Sequence, residues 1–351
     1  MNKVRPIAFY LPQYYQIPEN DEWWGKGFTE WTNVAKAKPL FKGHKQPNLP
    51  SELGFYDLRV PEVRERQAEL AKEAGIEGFC YWHYWFGTGR RILDRVFKEV
   101  VESGSPDFPF CLAWANQSWS GIWHGEENRI LMEQTYGGED DYTSHFYELL
   151  PAFKDKRYIR VNNRILFLVY NPMSLPDPLL FTSLWRELAK KEGLNDFYFI
   201  AMDGYTDCRK YGMDGTTFHE PNSHHAIVEK RIDRFLKKNI DPKRVEYSDF
   251  VEVTHNKKLA SNEFPIVVPN WDNTPRSGRR GLVFKNSTPD LYGKHLLKAL
   301  SLLNDHNHEQ KFVFIKSWNE WAEGNVLEPS VFWGRSYIDK TREIINSEIA
   351  P

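Results

Sequence analysis

The stretch ILFLVYNPMSLPDPLLFTSLWRELAKKEGLNDFYFIAM, Ile165 to Met202, decides the fold. It opens on an apolar run, Ile165 to Tyr170, too short for a helix and rich in residues that suit a pleated surface. A longer stretch with helical spacing follows from Leu180 to Lys191, and a second apolar run closes it at Phe197 to Met202. Both runs are almost continuously apolar. That pattern belongs to parallel strands buried on both faces, joined by a crossover helix.

Working outward, the same unit recurs. Val4–Tyr10, Ile76–Trp82 and Phe110–Trp114 read as strands one to three, with Ile165–Tyr170 and Phe197–Met202 as four and five. Gly215–His219, Pro265–Pro269 and Phe312–Lys316 read as strands six to eight. Helical spacing lies between them at Pro61–Ala74, Ile92–Ser103, Asp141–Phe153 and Leu291–Leu303, and a last helix is expected over Gly334–Ser347. Eight strands alternating with helices predict a (β/α)8 TIM barrel. An open doubly wound sheet would bring a Gly-rich turn after strand one, but strand one runs into Tyr10-Leu11-Pro12-Gln13-Tyr14-Tyr15. Pro12–Pro61 is an extended aromatic-rich loop after strand 1. Pro221–Glu263 is a helical elaboration between strands 6 and 7, with Ala226–Lys238 as its helix. No linker divides the chain, so residues 1–351 are expected to form one catalytic domain.

Composition narrows the function. Lys plus Arg is 46 and Asp plus Glu is 48, a net charge of −2, so nothing calls for nucleic acid or an anionic membrane. No apolar run reaches the ~20 residues of a membrane span. No secretory leader is visible, and the expected compartment is the cytoplasm. Three cysteines, Cys80, Cys111 and Cys208, fit a reducing environment and read as small buried hydrophobes. The 15% aromatic content is the outlying figure. Many of these rings crowd the ends of the apolar runs beside Asn, Gln, His and Glu. Flat faces beside hydrogen-bonding groups suit a ligand with a C–H face and a hydroxyl rim, as a sugar has. Large proteins also bury many aromatics, so composition by itself leaves both readings open.

Familiar motifs fail. Gly87-Thr88-Gly89 lacks the third glycine of a dinucleotide fingerprint, and no P-loop or Gly-x-Ser-x-Gly elbow occurs. His219-Glu220 is followed by Pro221, which breaks the helix a zinc protease needs. His219, His224 and His225 remain a weak metal candidate. His306 and His308 are expected in solvent before strand eight. No clear Asp-x-Asp follows a strand, so a metal-dependent nucleotide-sugar site has little support; no metal and no cofactor are expected.

A barrel builds its site where the C-terminal ends of the strands open into loops. Those ends carry Tyr10 and Gln13; Trp82, His83 and Tyr84; Trp114 and Asn116; Tyr170; Asp203; His219 and Glu220; Trp271 and Asp272; and Trp318 and Asn319. Of these, Tyr10, Gln13, Trp82, His83, Tyr84, Trp114, Asn116, Glu220, Trp271, Asp272, Trp318 and Asn319 are the candidate sugar contacts. The densest piece is Trp318-Asn319-Glu320-Trp321-Ala322-Glu323-Gly324. Glu320 and Glu323 lie three apart, so a helical turn would aim both the same way. Glycosidic bond cleavage needs two carboxyl groups about one anomeric centre, one of them held protonated. Solvated charges at a helix start are the plain alternative.

These residues also carry a resemblance. Ala8–Gln13, Asn20–Val34, Gly54–Leu58, Gly78–Phe86, Trp114–Asn116, Trp271–Thr274 and Trp318–Gly324 resemble, in order and over nearly the whole chain, the WbsX-type glycosyltransferases, also called glycoside hydrolase family 99-like proteins. The resemblance implies a single barrel acting on an oligosaccharide or polysaccharide, encoded among genes for bacterial surface polysaccharide such as O-antigen or capsule. Its relatives include retaining endo-α-1,2-mannosidases that need no metal. It implies that Glu320 is the base on the sugar's own 2-hydroxyl, whose oxygen attacks C1 to form a 1,2-anhydro sugar. Glu323 is then the general acid and afterwards the base for the acceptor. Water as acceptor makes a hydrolase; a sugar hydroxyl makes a transglycosylase. Two positions depart from the pattern: Tyr14-Tyr15 stand where relatives often carry Phe-His, and Gln117-Ser118 where they often carry Glu-Asn. An amide at 117 cannot take a proton. A nucleotide-sugar-dependent glycosyltransferase and a non-catalytic sugar-binding barrel are the rival readings.

Overall fold

The computed structural model describes residues 4–121, 126–202, 207–218, 242–256 and 258–349. The strands that form the barrel are β1 (Arg5–Tyr10), β2 (Gly78–His83), β3 (Phe110–Trp114), β4 (Arg164–Val169), β5 (Phe197–Ala201), β6 (Gly215–Thr217), β7 in two pieces (Glu263–Phe264 and Ile266–Val267) and β8 (Phe312–Ile315). All neighbours pair parallel. Ala8 pairs with Phe79, Cys80 with Cys111, Trp114 with Val169, Val169 with Ala201 and Ala201 with Thr216. The round completes with Thr217 on Phe264, Val267 on Ile315, and Ile315 back on Ala8. The two edges of the sheet are separated only by Pro265, which has no N–H to donate. Its carbonyl still accepts from Phe314 N at 3.0 Å. The expected strand at 265–269 is therefore two short pieces flanking Pro265, and the parallel barrel is nearly closed.

Helices pack outside. Pro61 opens the helix at Pro61–Glu73, where a missing N–H costs nothing. The helix expected from Ile92 begins at Arg95, because Leu93 takes a positive φ of 58° that no helix continues. Thr288 caps Pro289–Ser301 by accepting from Leu291 N at 3.2 Å. Gly138–Lys154 and Pro178–Lys191 bury Phe146, Phe153 and Trp185 against Phe167 and Phe197 of the barrel, and Phe181 against Phe199. Trp185 is fully buried and still donates its Nε1–H to Tyr142 O at 3.0 Å. The long loop after β1 is ordered by two short helices, Pro18–Trp24 and Glu30–Lys36. The helix expected at Ala226–Lys238 lies outside the described residues. The three cysteines are buried, as expected. His306 corrects an expectation. It is buried rather than in solvent, its Nε2 2.9 Å from Glu263 O; His308 is exposed as expected.

Candidate active site

The chain leaves β8 and enters a small antiparallel hairpin in which Asn319 pairs with Val326 and Glu320 with Asn325. Its tip, Trp321–Glu323, is a single 3-10 turn, the conformation that eclipses side chains three residues apart. Glu320 and Glu323 are therefore brought to one side, as their spacing predicted. Gly324 ends the turn at φ 68°, and a Cβ there would lie 3.0 Å from Asp272. Tyr14 pins the turn, its hydroxyl donating to Asn319 O at 2.7 Å and accepting from Trp321 N at 2.9 Å. Asp272 N donates to Glu323 O at 2.7 Å.

Both carboxylates line a cavity of about 390 Å³ at the C-terminal mouth of the barrel. Arg276 reaches them from the segment after β7. Its Nη1 donates to Glu323 Oε1 at 2.6 Å and to Glu320 Oε1 at 3.3 Å. Its Nε donates to Glu30 Oε2 at 3.1 Å. One buried guanidinium thus holds three buried carboxyl groups. Asn325 Nδ2 donates to the far oxygen of Glu323 at 3.3 Å, whereas Glu320 Oε2 has no hydrogen-bond partner. The two glutamates part company accordingly. Burial, and then the charge of Glu323, pushes the Glu320 carboxyl up to about 8. Burial acts on Glu323 too, but Arg276 and Lys316 more than offset it and hold that carboxyl below its ordinary value. Near neutral pH the proton of the pair therefore rests on Glu320. That is the reverse of the roles the family resemblance implies, in which Glu323 delivers the proton.

Of the other candidates, Gln13, Trp82, Tyr84 and Trp271 also line this cavity. Gln13 Nε2 donates to Tyr84 OH at 3.2 Å, and Trp82 stacks on Phe9 with centroids 4.9 Å apart. Seven others do not line it. Tyr10 OH donates to Gln67 at 2.7 Å outside the barrel. His83 meets His145, Nε2 to Nε2 at 2.7 Å. Trp114 donates to Trp85 O at 2.9 Å. Asn116 braces the ends of β3 and β4 through Asn171 N and O, both at 2.7 Å. Asn319 does the same for β1 through Leu11 N and O at 2.8 and 3.0 Å. Trp318 is fully buried beside Phe79. Asp272 turns to His44 and Gln46, at 2.7 Å each. These seven are corrected from sugar contacts to framework. Side chains alternate along a strand, so consecutive residues at its end cannot all point inward: Trp82 and Tyr84 do, His83 does not. Glu220, Asp203 and the metal candidate His219, His224 and His225 lie outside the described residues. Among the described residues no group of three His, Cys, Asp or Glu is placed to hold a metal ion.

Glu30, Arg276, Lys316, Trp24, Phe28 and Trp119 also line the cavity and were missed as site residues. Glu30 and Phe28 lie within the Asn20–Val34 run, and Arg276 two residues past Trp271–Thr274, so the signal was proximity to quoted motifs. Gln117 and Ser118 also reach the cavity, so the departure from the family pattern falls on its wall.

The structure is thus a parallel (β/α)8-type barrel with two buried glutamates converging in a cavity at its strand-end mouth. Residues 6–341 match the family described as "Glycosyltransferase WbsX", and the chain belongs to that family of carbohydrate-active enzymes. It is 36% identical over 343 residues to protein WxcX of Xanthomonas campestris pv. campestris, covering 97% of this chain and 49% of that protein. The chain thus spans about half the length of that relative. Among solved structures it resembles the GH99 endo-alpha-mannosidase from Bacteroides thetaiotaomicron in complex with bis-tris-propane. The TM-score is 0.61 at 15% identity, covering 98% of this chain and 96% of that one. A glycoside hydrolase-like protein matches at TM-score 0.60 and 14% identity, covering 98% and 94%. At such identities the likeness is one of fold. Among the described residues no helix is long and apolar enough to cross a membrane.

Proposed function

We propose that residues 1–351 form one catalytic domain that cleaves or transfers an α-linked glycosyl unit of an oligosaccharide or polysaccharide, with retention of configuration. The setting we propose, from the family resemblance, is bacterial surface polysaccharide metabolism. One observation carries the chemistry: Glu320 and Glu323 share a cavity and a guanidinium, and burial with unequal contact to Arg276 drives their proton affinities apart. Pairs of that kind supply the acid and the base of a glycosidase.

The proton's position follows what each carboxyl touches. In the free site Glu320 carries it, because Arg276 lies nearer to Glu323. A sugar 2-hydroxyl donating to Glu320 favours its ionised form, and a glycosidic oxygen accepting from Glu323 favours its protonated form. Substrate binding thereby moves the proton to Glu323. Glu320 then deprotonates the 2-hydroxyl, its oxygen attacks C1, and Glu323 protonates the departing oxygen. An acceptor hydroxyl that Glu323 deprotonates then attacks C1 of the resulting 1,2-anhydro sugar, and as the C1–O2 bond breaks Glu320 returns its proton to the 2-oxygen. Trp82, Tyr84 and Trp271 offer the flat faces against which a sugar's C–H groups pack.

The test uses α-1,2-linked mannosides that differ only in leaving group. A lost general acid costs roughly 10²–10⁴-fold. Glu323→Gln is expected to lose that much with a sugar leaving group and far less with dinitrophenolate, which departs without a proton. Glu320→Gln is expected to lose similarly with both. Unimpaired turnover of the sugar-leaving substrate by Glu323→Gln would sink the assignment. Turnover of a nucleotide sugar, with none of an α-linked oligosaccharide, would restore the glycosyltransferase that the family's name describes.

A further inference from the structure

Behind the catalytic hairpin lies a second cavity, of about 290 Å³, and no residue lines both. It opens between residues 41–48 of the loop after β1, residues 283–287 and residues 324–333. The loops after strands seven and eight of such barrels are a recurrent place for binding anionic groups. The partition wall is Asp272 and Gly324, the residues that support Glu323 from behind.

Charge in this cavity is unevenly satisfied. Its acids are turned into the wall. Asp272 accepts from Gln46 Nε2 and Thr274 Oγ1 and lies 2.7 Å from His44 Nε2. Glu328 accepts from Tyr56 OH at 2.8 Å, Gln67 Nε2 at 2.6 Å and Trp321 Nε1 at 2.7 Å. Its bases are not so spent. Lys285 is held by Glu246 at 2.6 Å, but Lys42 and Lys45 form no ion pair with a described carboxylate. Lys45 Nζ is poised 4.0 Å over the Trp333 ring at the cavity edge. Partial burial already lowers its pKa, so an anion arriving there would be met by an under-solvated ammonium.

The remaining wall is built for a ring with hydroxyls. Phe332 offers a flat apolar face that is 50% exposed, beside Trp333, whose ring carries Lys45, and Phe41, which stacks on His44 with the Arg244 guanidinium 4.8 Å from its ring centroid. The side-chain oxygens of Asn48 and Asn270 are buried without a donor. Buried acceptors left so are costly, and a ligand hydroxyl is a donor of the right kind.

We propose that this cavity is a second carbohydrate site, selective for a single glycosyl residue bearing a negative charge, as a carboxylate or a phosphate. Lys42 and Lys45 neutralise the anion, the aromatic wall covers the C–H face of the ring, and Asn48 and Asn270 accept from its hydroxyls. The volume suits one ring rather than a chain, since sites for larger ligands run from about 300 to 1,000 Å³. The assignment does not depend on the catalytic reading, because the two cavities are lined by different residues.

Calorimetric titration of the purified protein with methyl glucuronide, glucose 1-phosphate and methyl glucoside tests it. At least one of the two anions is expected to bind more tightly than the neutral glucoside, and more weakly as salt is added. Which anion binds identifies carboxylate or phosphate as the natural charge. Lys42→Gln with Lys45→Gln, both at exposed positions, is expected to weaken that binding at least tenfold while leaving the melting temperature unchanged. Should the double variant melt early, Lys42→Gln alone serves, with at least a threefold loss expected. Glu323→Gln is expected to bind the anion as the wild type does. Equal binding of charged and neutral sugars, no dependence on the lysines, loss of binding in Glu323→Gln, or no binding of either anion at millimolar concentration would each overturn the proposal.

Discussion

Replacing Glu320 with Gln should make the protein more stable, by an amount that grows with pH. The Glu320 carboxyl is buried, its Oε2 has no partner, and its pKa stands at about 8 against 4.5 for a free glutamate. Between those values the folded chain keeps a proton that the unfolded chain has released. Stability therefore falls as pH rises through that window. At 1.36 kcal/mol per pH unit the span from 4.5 to about 8 corresponds to about 5 kcal/mol above pH 8. By the same arithmetic the cost is about 3 kcal/mol at pH 7 and negligible below pH 4.5. Gln has the same shape and no proton to lose. Its carbonyl can still accept from Arg276 Nη1, and its NH₂ can donate toward Glu323 as protonated Glu320 would. Urea unfolding of variant and wild type at pH 5, 7 and 9, followed by tryptophan fluorescence, measures the difference directly. The expected gain in the variant is small at pH 5, about 3 kcal/mol at pH 7 and about 5 kcal/mol at pH 9. A difference that stays flat across pH, or a variant less stable than wild type at pH 9, would show that Glu320 is not held protonated. Such a gain bought by losing a reactive group is the usual trade between stability and activity.

Two more substitutions probe the frame around that carboxyl. Arg276→Met leaves Glu30 and Glu323 buried without their guanidinium, and removing one partner of a buried pair costs about 3–5 kcal/mol. The loss should be larger at pH 8 than at pH 5, where protonation relieves the unpaired charges; an equal loss at both would mean that Arg276 only fills space. Asn319→Ala strips Leu11 of the partners for its buried N–H and C=O, at about 1–3 kcal/mol for each group left unpaired. Urea unfolding should show a loss of about 3 kcal/mol, and a loss below roughly 0.5 kcal/mol, the scale of a surface substitution, would contradict its role as the tie between β1 and β8.

Much of this molecule is legible in its amino-acid sequence. The runs Ile165–Tyr170 and Phe197–Met202 are unbroken because both their faces are buried, one against the barrel interior and one against helices. A local signal of that kind needs no tertiary information. Pro61 marked a helix start because a first turn is satisfied by residues adjacent in the chain. The pair Glu320 and Glu323 was legible for the same reason, since one short turn sets their relative direction.

What the chain could not announce is everything that depends on distant partners or on the phase of a strand. Naming whole strand ends as sugar contacts overcounted, because alternation sends His83, Trp114 and Trp318 into the frame while Trp82 and Tyr84 face the cavity. Only the register of eight strands sets that phase. Arg276 and Glu30 are 246 positions apart, yet they meet beside Glu323 because β7, β8 and the loop after β1 are neighbours once the barrel closes. The split between the two glutamates is likewise not a property of either residue. It arises from the depth of burial and from a guanidinium 2.6 Å from one and 3.3 Å from the other. The sequence by itself determined the strands, their order and the carboxyl pair, because periodicity and short turns are local. The tertiary structure alone decided which side chains line the cavity and where the proton rests, because burial and Coulomb interactions act between residues that only folding brings together.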